Sequence, residues 1–439
     1  MQKKQIISNI KGTGIEELNP MQLAVLSTEA QKMFLIAPTG SGKTIAFTIA
    51  LLRQMQPACR KLQGVVIAPS RELVIQIADV IRSVSPGYKV LPLYGGHSMS
   101  DEVSSIEGAI PDIAVATPGR LLDHLTRQTL SLRDIRAMVM DEYDKSLELG
   151  FHGEMKKIVR AMPRKVSSIT LTSATLLPEM PDFIDMEGAV TIDYTARTEA
   201  PRSRMQIVDV PSPERDKLNT LADLLATFSS DAPYIIFVNH RESAERVYNN
   251  LKKRGFPVGL YHGGLEQRER EMALDLFNNG STPWLVSTDL ASRGLDIADV
   301  AAVVHYHLPL TEETWTHRNG RTARVQADGT IYVITAEGEN TPDFISFDRQ
   351  FYPPEITEAP EPSPVASLYF NAGKREKLSR GDILGFLIQK GGLAADEIGK
   401  IIVKDHHALV AIPSARLGSV LGAIKGEKVK NKSVRITPV

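Results

Sequence analysis

Two short stretches of this 439-residue chain carry side chains suited to phosphate chemistry. In Thr39-Gly40-Ser41-Gly42-Lys43-Thr44 the glycines let the backbone turn with its N–H groups facing inward. Such a nest binds an anion. Lys43 can then reach the β- and γ-phosphates of a nucleotide, and the Thr44 hydroxyl can face Mg2+. In Asp141-Glu142-Tyr143-Asp144, acids crowd together. Asp141 can hold Mg2+ through its waters while Glu142 polarises an attacking water. The implied chemistry is hydrolysis of a nucleoside triphosphate, with Mg2+ as an expected ligand.

Both stretches need a scaffold, and the flanking residues supply one. Phe34–Ala37 is an apolar run that predicts a buried strand, and Ile45–Leu52 predicts a helix. The phosphate loop thus lies between strand and helix, where the helix start adds partial positive charge. The strict pattern G-x-x-x-x-G-K-[ST] is broken only at its first position, where Ala37 stands. Ala137–Met140 is a second apolar run leading into the acids. Gly64–Ala68, Lys89–Leu93, Ile113–Ala116 and Ser168–Leu171 complete a first set of strands that alternate with helical segments. Such alternation predicts a parallel sheet covered by helices. Ala196–Met205 is polar and reads as a hinge. The pattern then restarts, with strands expected at Tyr234–Val238, Val258–Tyr261, Trp284–Ser287, Val300–Tyr306 and Thr330–Ile334. Tyr352–Ala366 carries Pro353, Pro354, Pro360, Pro362 and Pro364, a semi-stiff linker. A small α/β domain follows, with strands expected at Arg375–Leu378, Gly399–Val403, Ala408–Ile412 and Val434–Ile436. Its helices are expected at Ile383–Gln389 and Ser414–Ile424. The expected domains are 1–200, 201–351, a linker 352–370, and 371–439.

Composition narrows the setting. Hydrophobic content of 42% and charged content of 23% are those of a soluble globular protein. No apolar run is long enough for a membrane span, and no signal-peptide core follows Met1. Cys59 is the single cysteine, which excludes an intrachain disulfide or a thiolate zinc cluster and fits a reducing cytoplasm. From Asn371 to Val439 there are 13 Lys and Arg against 6 acids, a net +7, leaving −8 for the rest of a chain whose total is −1. A basic appendage on an acidic body points to a polyanion-binding module.

From about Gly14 to Arg324 the motifs together resemble the DEAD-box RNA helicases. The resemblance implies two RecA-like domains and assigns further residues. Gly14 to Gln22 resembles the adenine-reading Q motif, and the Gln22 amide can donate and accept at once, as adenine N6 and N7 require. Leu18 and Asn19 depart from the family's usual residues there. Pro69-Ser70-Arg71-Glu72-Leu73, Tyr94-Gly95-Gly96 and Thr117-Pro118-Gly119-Arg120 resemble RNA-contact motifs, implicating Arg71, Gly95, Gly96, Thr117, Gly119 and Arg120. Hydroxyls, backbone N–H groups and Arg suit phosphate oxygens, which carry no sequence information. Ser173-Ala174-Thr175 resembles the motif that couples hydrolysis to RNA remodelling, through hydroxyl bonds to Asp144. In the second unit, His262 to Arg270 implies RNA contact by Gln267 and Arg270, three apart on one helical face. Ser287 to Ile297 assigns Thr288 to RNA and Asp296 to the nucleotide ribose. His317-Arg318-Asn319-Gly320-Arg321-Thr322-Ala323-Arg324 resembles the arginine-finger motif, with Arg321 and Arg324 directed at the γ-phosphate when the units close. Tyr143 stands where the family has Ala, and a phenol there threatens to displace Asp144 from Ser173 and Thr175.

The last domain, about Lys374 to Thr437, resembles the RRM-like RNA-binding domain of DbpA-type bacterial helicases. Its segment His406–Ile412 lacks the aromatics on which an RRM sheet ordinarily stacks bases, so contacts are expected from Arg375, Lys377, Arg380, Lys400 and the Lys428/Lys430/Lys432 group. The expected function is RNA-stimulated ATP hydrolysis coupled to local duplex unwinding or remodelling of ribonucleoprotein, with ribosome assembly as the setting. Large-subunit ribosomal RNA or pre-ribosomal particles are the expected partners of a cytoplasmic monomer that contacts no membrane. The alternatives are an ATP-gated RNA clamp with little unwinding and a DNA-directed motor. The Gln22 motif and the RNA-type tail oppose the latter.

Overall fold

The computed structural model describes all residues other than 38–40, 97, 164–165, 174–181, 196–204, 293–299, 323–328 and 357–359. The chain divides into two compact units at Glu199/Ala200.

The first unit is built on seven parallel strands: β1 (Lys32–Ile36), β2 (Gly64–Ile67), β3 (Val90–Leu93), β4 (Ile113–Ala116), β5 (Ala137–Met140), β6 (Ser168–Ser173) and β7 (Val190–Asp193). Their order across the sheet is β3-β4-β2-β5-β6-β1-β7. The central strands β2, β4 and β5 are buried at every residue. That is why they read as unbroken apolar runs rather than alternating ones. Helices cover the faces. In helix Arg71–Val84 the buried residues Leu73, Val74, Ile77, Ala78, Ile81 and Val84 form one stripe at helical spacing, and the Ser70 hydroxyl caps its start by accepting from Leu73 N–H. The expected strands recur within one or two residues of their predicted ends. β7 was not expected. It is an edge strand with one buried residue, Ile192.

The second unit carries β8 (Met205–Ser212), β9 (Tyr234–Phe237), β10 (Val258–Tyr261), β11 (Trp284–Ser287), β12 (Ala302–His305), β13 (Gly329–Ala336) and β14 (Arg349–Gln350). Their order, β10-β11-β9-β12-β13-β8-β14, repeats that of the first sheet strand for strand. β8 opens at Met205, the last residue of the expected hinge. The rest of that stretch lies outside the described residues.

The same unit holds a third, antiparallel sheet of β15 (Val365–Phe370), β16 (Ile401–Val403), β17 (Ala408–Pro413) and β18 (Ile436–Pro438), in the order β16-β17-β15-β18. Leu368 and Phe370 point into a core with Ile383, Leu387, Val410 and Val420. Three tail expectations are corrected. β15 lies within the stretch read as linker, because prolines precede it and no polar alternation marks it. Arg375–Leu378 is a turn rather than a strand, with Lys377 at φ 61°. The helix expected at Ser414–Ile424 is a 3-10 turn, Ser414–Arg416, followed by Leu417–Ala423.

Candidate active site and nucleic-acid interface

In a parallel sheet the loops at the carboxyl ends of the strands are where ligands bind. The strand order sorts the first unit's motifs along that edge. The phosphate loop follows β1, the acidic motif follows β5 and Ser173 ends β6, and these three strands are neighbours. Arg71, Gly95/Gly96 and Thr117–Arg120 follow β2, β3 and β4, also neighbours. One edge therefore has a phosphate side and a side carrying all three expected RNA motifs.

On the phosphate side, Gly42 takes φ 85° and precedes helix Lys43–Gln54. A Cβ there would come within 2.6 Å of Gln22 Nε2 and 3.1 Å of Asn19 Nδ2, so both conformation and space require glycine. The Q-motif residues brace the loop directly. Asn19 Nδ2 donates to the Ser41 carbonyl at 2.9 Å and Gln22 Nε2 to the Gly42 carbonyl at 3.3 Å. Gln22 Oε1 accepts from Asn19 N–H at 3.0 Å, closing a capping box with Asn19. Asn19, a departure from the family pattern, thus supplies the cap. Each Gln22 amide atom keeps further hydrogen-bonding capacity.

Lys43 is 8% exposed, and its Nζ has no hydrogen-bond partner among the described residues. A buried ammonium in that state is expensive unless an anion meets it. Asp141 and Asp144 lie within its electrostatic reach. Burial pushes the Asp141 carboxyl up, and Lys43 and the Thr172 hydroxyl pull it back. Burial likewise raises Asp144, and its bond from Ser173 Oγ, 2.9 Å, opposes this. The Ser41 hydroxyl is also buried without a partner among the described residues. An orphaned cation, an orphaned hydroxyl and buried acids fit a magnesium nucleotide.

Sequence reasoning missed Thr172. Its hydroxyl donates to Asp141 Oδ1 and accepts from the Glu142 N–H at 3.3 Å. Glu142 sits at φ 45°, a left-handed conformation costly for a side chain of this size, and that bond helps to hold it there. Tyr143 finds room. It is buried in the apolar cluster with Leu121, Met155 and Leu171, and burial beside Asp144 pushes its phenol up to about 12. The Asp144–Ser173 bond survives, contrary to the displacement expected from a bulky residue there. Thr175 lies outside the described residues, as do Thr39 and Gly40.

On the other side of the edge, a Cβ on Gly95 would meet Arg71 Nη2 at 3.3 Å, so the guanidinium passes close over the Gly-Gly turn, where Gly96 takes φ 101°. Thr117 N–H bonds the Leu93 carbonyl at 3.0 Å, which ties the β4 loop to the β3 loop. Gly119 faces open space.

The second unit repeats this device. A Cβ on Gly263, after β10, would meet Arg241 Nη2 at 3.3 Å, and Arg241 opens the helix after β9 as Arg71 does after β2. Arg241 was not singled out from the sequence; the repeat of strand order points to it. Gln267 and Arg270 share one face of helix Gln267–Asn278, and Arg270 Nη2 donates to Gln267 Oε1 at 2.6 Å. Thr288 follows β11, next to β10 in the sheet. Arg321 and Arg318 are both fully buried. Arg318, also not singled out, donates to Asp289 Oδ1 at 2.6 Å, Asn239 Oδ1 at 2.7 Å and the His307 carbonyl at 3.0 Å, and lies over the Phe237 ring. It joins the loops after β9, β11 and β12. Arg324 and Asp296 lie outside the described residues.

This network carries a pH dependence. Burial lowers His305 to about 3 and His307 to about 4, with Arg318 adding to the first and Lys217 to the second. Both groups are then neutral in the fold while the unfolded chain takes up protons below about 6.5. Stability therefore falls as pH drops from about 6.5 toward 4, by up to roughly 1.4 kcal/mol per pH unit for His305 and by less for the half-buried His307, where solvent screens the charge. Both tryptophans, Trp284 and Trp315, lie in this unit, so urea unfolding followed by their fluorescence reads it. A midpoint that does not move between pH 7 and 5 would rule the buried neutral pair out.

In the tail, Arg375, Lys377 and Arg380 are exposed. Lys430 Nζ bonds the Lys377 carbonyl and Asp382, and Lys432 Nζ bonds the Glu376 carbonyl, so the C-terminal lysines join this group. Lys400 instead lies within electrostatic reach of Asp275, on helix Gln267–Asn278. The tail sheet does carry an aromatic pair, Tyr369 stacked on His407 at 5.5 Å, but its outer face is occupied. Tyr369 OH accepts from Arg268 Nη2 at 3.0 Å, Ser367 Oγ bonds Asn279 Nδ2 and Ser281 Oγ at 2.7 Å each, and Lys404 pairs with Asp275 at 3.3 Å.

Among the described residues no helix is long and apolar enough to cross a membrane. Comparison with known proteins agrees with the site. Residues 19–183 match the DEAD/DEAH box helicase family, 216–326 the helicase conserved C-terminal domain, and 367–438 the DbpA RNA-binding domain. The chain is 33% identical to the ATP-dependent RNA helicase DbpA of Escherichia coli K12, over 98% of its own length and 96% of that protein's. It is 28% identical to the Bacillus subtilis protein of the same name, over the same shares. Among solved structures, S. cerevisiae Dbp5 bound to RNA and ADP BeF3 is 26% identical with a TM-score of 0.67, over 76% of this chain and 87% of that one. Phosphate-loop geometry, acidic motif and sequence kinship converge, and the chain belongs to the DEAD-box ATP-dependent RNA helicases, with a DbpA-type RNA-binding domain.

Proposed function

We propose that this chain hydrolyses ATP with Mg2+ in response to RNA and uses the cycle to open short RNA duplexes or remodel ribonucleoprotein during ribosome assembly. The observation that carries the reading is the buried ammonium of Lys43, without a hydrogen-bond partner among the described residues, beside Asp141 and Asp144. Lys43 receives the β- and γ-phosphates, and the buried Ser41 hydroxyl and the loop N–H groups complete the cradle. Thr44 and Asp141 would hold Mg2+, which when bound neutralises charge on the phosphate oxygens. Glu142 polarises the attacking water. Gln22 keeps the hydrogen-bonding capacity to read adenine while it braces the loop. Asp296 binds the ribose, and Arg321 and Arg324 stabilise charge on the transferred group. ATP and RNA binding are linked, so each ligand raises the affinity for the other. Arg71, Gly95, Gly96, Thr117, Gly119 and Arg120 on the first unit, with Gln267, Arg270 and Thr288 on the second, hold the RNA backbone. Asp144 with Ser173 and Thr175 couples the two events. The intact Asp144–Ser173 bond beside Tyr143 supports coupling over an idle clamp.

The exposed group Arg375, Lys377 and Arg380, and separately Lys400 near Asp275, take a hairpin of large-subunit ribosomal RNA. The single cysteine suits the cytoplasm, and a complete motif set in one chain suits a monomer. Steady-state ATP hydrolysis with ribosomal RNA, random single strands and DNA tests this. Strong stimulation by ribosomal RNA alone supports the targeted reading. Equal stimulation by any RNA removes the target, and preference for DNA overturns the substrate class.

A further inference from the structure

The function above leaves one buried cluster of the first unit unused. Glu102, on helix Met99–Gly108, is charged yet only 9% exposed. Its Oε2 accepts from Arg120 Nε at 2.7 Å and from His124 Nε2 at 2.9 Å. His124 is fully buried, and its Nδ1 lies 2.7 Å from the Thr129 hydroxyl. Arg120 and His124 stand four apart on helix Pro118–Thr126, so they share one face of it. A buried carboxylate is tolerated only when its bonds are satisfied, and here one oxygen gathers a guanidinium and an imidazole from the same helix.

We propose that Glu102 and His124 are positioning residues for Arg120. Holding Nε fixes the plane of the guanidinium in the loop and helix that follow β4, the plane an RNA phosphate would meet. The Thr129–His124 bond in turn fixes the carboxylate. The proposal rests on the reading of Arg120 as an RNA contact. Its benefit is entropic: an arginine side chain otherwise loses rotamer freedom when it is immobilised. The alternative has the opposite sign. A carboxylate beside the contact repels phosphate, so if charge decided the matter, removing Glu102 would tighten RNA binding.

The test uses the full chain, a fluorescein-labelled oligouridylate and a non-hydrolysable ATP analogue, with RNA-stimulated ATP hydrolysis in parallel. Glu102→Ala is expected to raise the RNA concentration for half-maximal binding about tenfold, equivalent to about 1.4 kcal/mol. Turnover at saturating RNA should stay within about twofold. Adding Glu102→Ala to Arg120→Ala should weaken binding by less than about twofold beyond Arg120→Ala alone, because both act through one contact. Glu102→Gln keeps the shape and the accepting oxygen without the charge; if Glu102→Ala lowers the melting temperature it decides the matter, since positioning predicts RNA binding within about twofold of the parent and charge repulsion predicts tighter binding. Unchanged or tighter RNA binding in Glu102→Ala, or tighter binding in Glu102→Gln, overturns the proposal, as do effects that multiply in the double variant. If Arg120→Ala itself leaves RNA binding unchanged, the RNA role of Arg120 falls and the proposal with it. A loss in Arg120→Ala with none at Glu102 overturns the positioning role alone.

Discussion

Glu142→Gln is expected to lower RNA-stimulated ATP turnover by about 10³-fold while ATP and RNA affinities stay within a few-fold. The amide matches the carboxylate in shape, so the left-handed backbone at Glu142 and its N–H bond to the Thr172 hydroxyl are kept. The nucleotide still meets Lys43 and the loop. What is lost is the negative oxygen that draws a proton from the attacking water, an effect confined to the chemical step. Pre-steady-state quench kinetics, with fluorescent-nucleotide titration beside it, separates the two quantities. Turnover that survives the substitution would place water activation on another group.

The second large effect is expected at Arg321. Its loss should lower kcat by about 10³-fold or more, the range for a guanidinium that stabilises phosphoryl-transfer charge. Arg321 is fully buried, so truncation removes packing and hydrogen bonds as well as charge. Two readouts keep these apart. The melting temperature reports the structural loss, and kcat per folded molecule reports the catalytic one. Arg321→Lys sharpens the contrast, since an ammonium keeps the charge but lacks the planar fork. It should remain far below the parent in kcat. A variant that melts early but turns over normally at low temperature would make Arg321 a structural residue.

Both expectations concern residues that were legible as motifs, and the reason lies in the fold. Runs such as Gly64–Ile67 and Ala137–Met140 are buried on both faces, so the parallel sheets announce themselves as continuous apolar segments. The loops that follow are short, and the functional side chains stay adjacent in sequence. Strands at the margins were not legible. β7 buries a single residue and β14 has two exposed ones, so pairing rather than pattern defines them. β15 follows prolines and is covered on both faces, with adjacent Ser367 and Leu368 both fully buried, so no polar alternation marks it. Within the site, Thr172, Arg318, Glu102 and His124 escaped notice because their importance comes from partners tens of residues away, such as Asp289 for Arg318 at a separation of 29. Chain spacing carries no trace of such a bond. Tyr143 raised the opposite problem. The sequence marked it as a foreign bulk, and only the surrounding apolar cluster reveals the space that receives it.

The docked face of the tail sheet bears on how this protein could be taken apart. RNA-binding appendages are commonly treated as cassettes, exchanged between motors by cutting in the linker. Here the cassette has no clean edge. Ser367 and Tyr369 bind Asn279, Ser281 and Arg268, and upstream of the strand Ser363 and Pro362 bond to Gly280 and Ser230. A graft cut at residue 371 would sever β15 from the sheet it centres and leave Phe370 and Leu368 behind. A graft cut before Pro362 would keep the sheet whole but present polar sockets shaped for a helix the new host lacks. Chimeras of this tail therefore need the host's equivalent of helix Gln267–Asn278 redesigned along with it, at Arg268, Asp275 and Asn279.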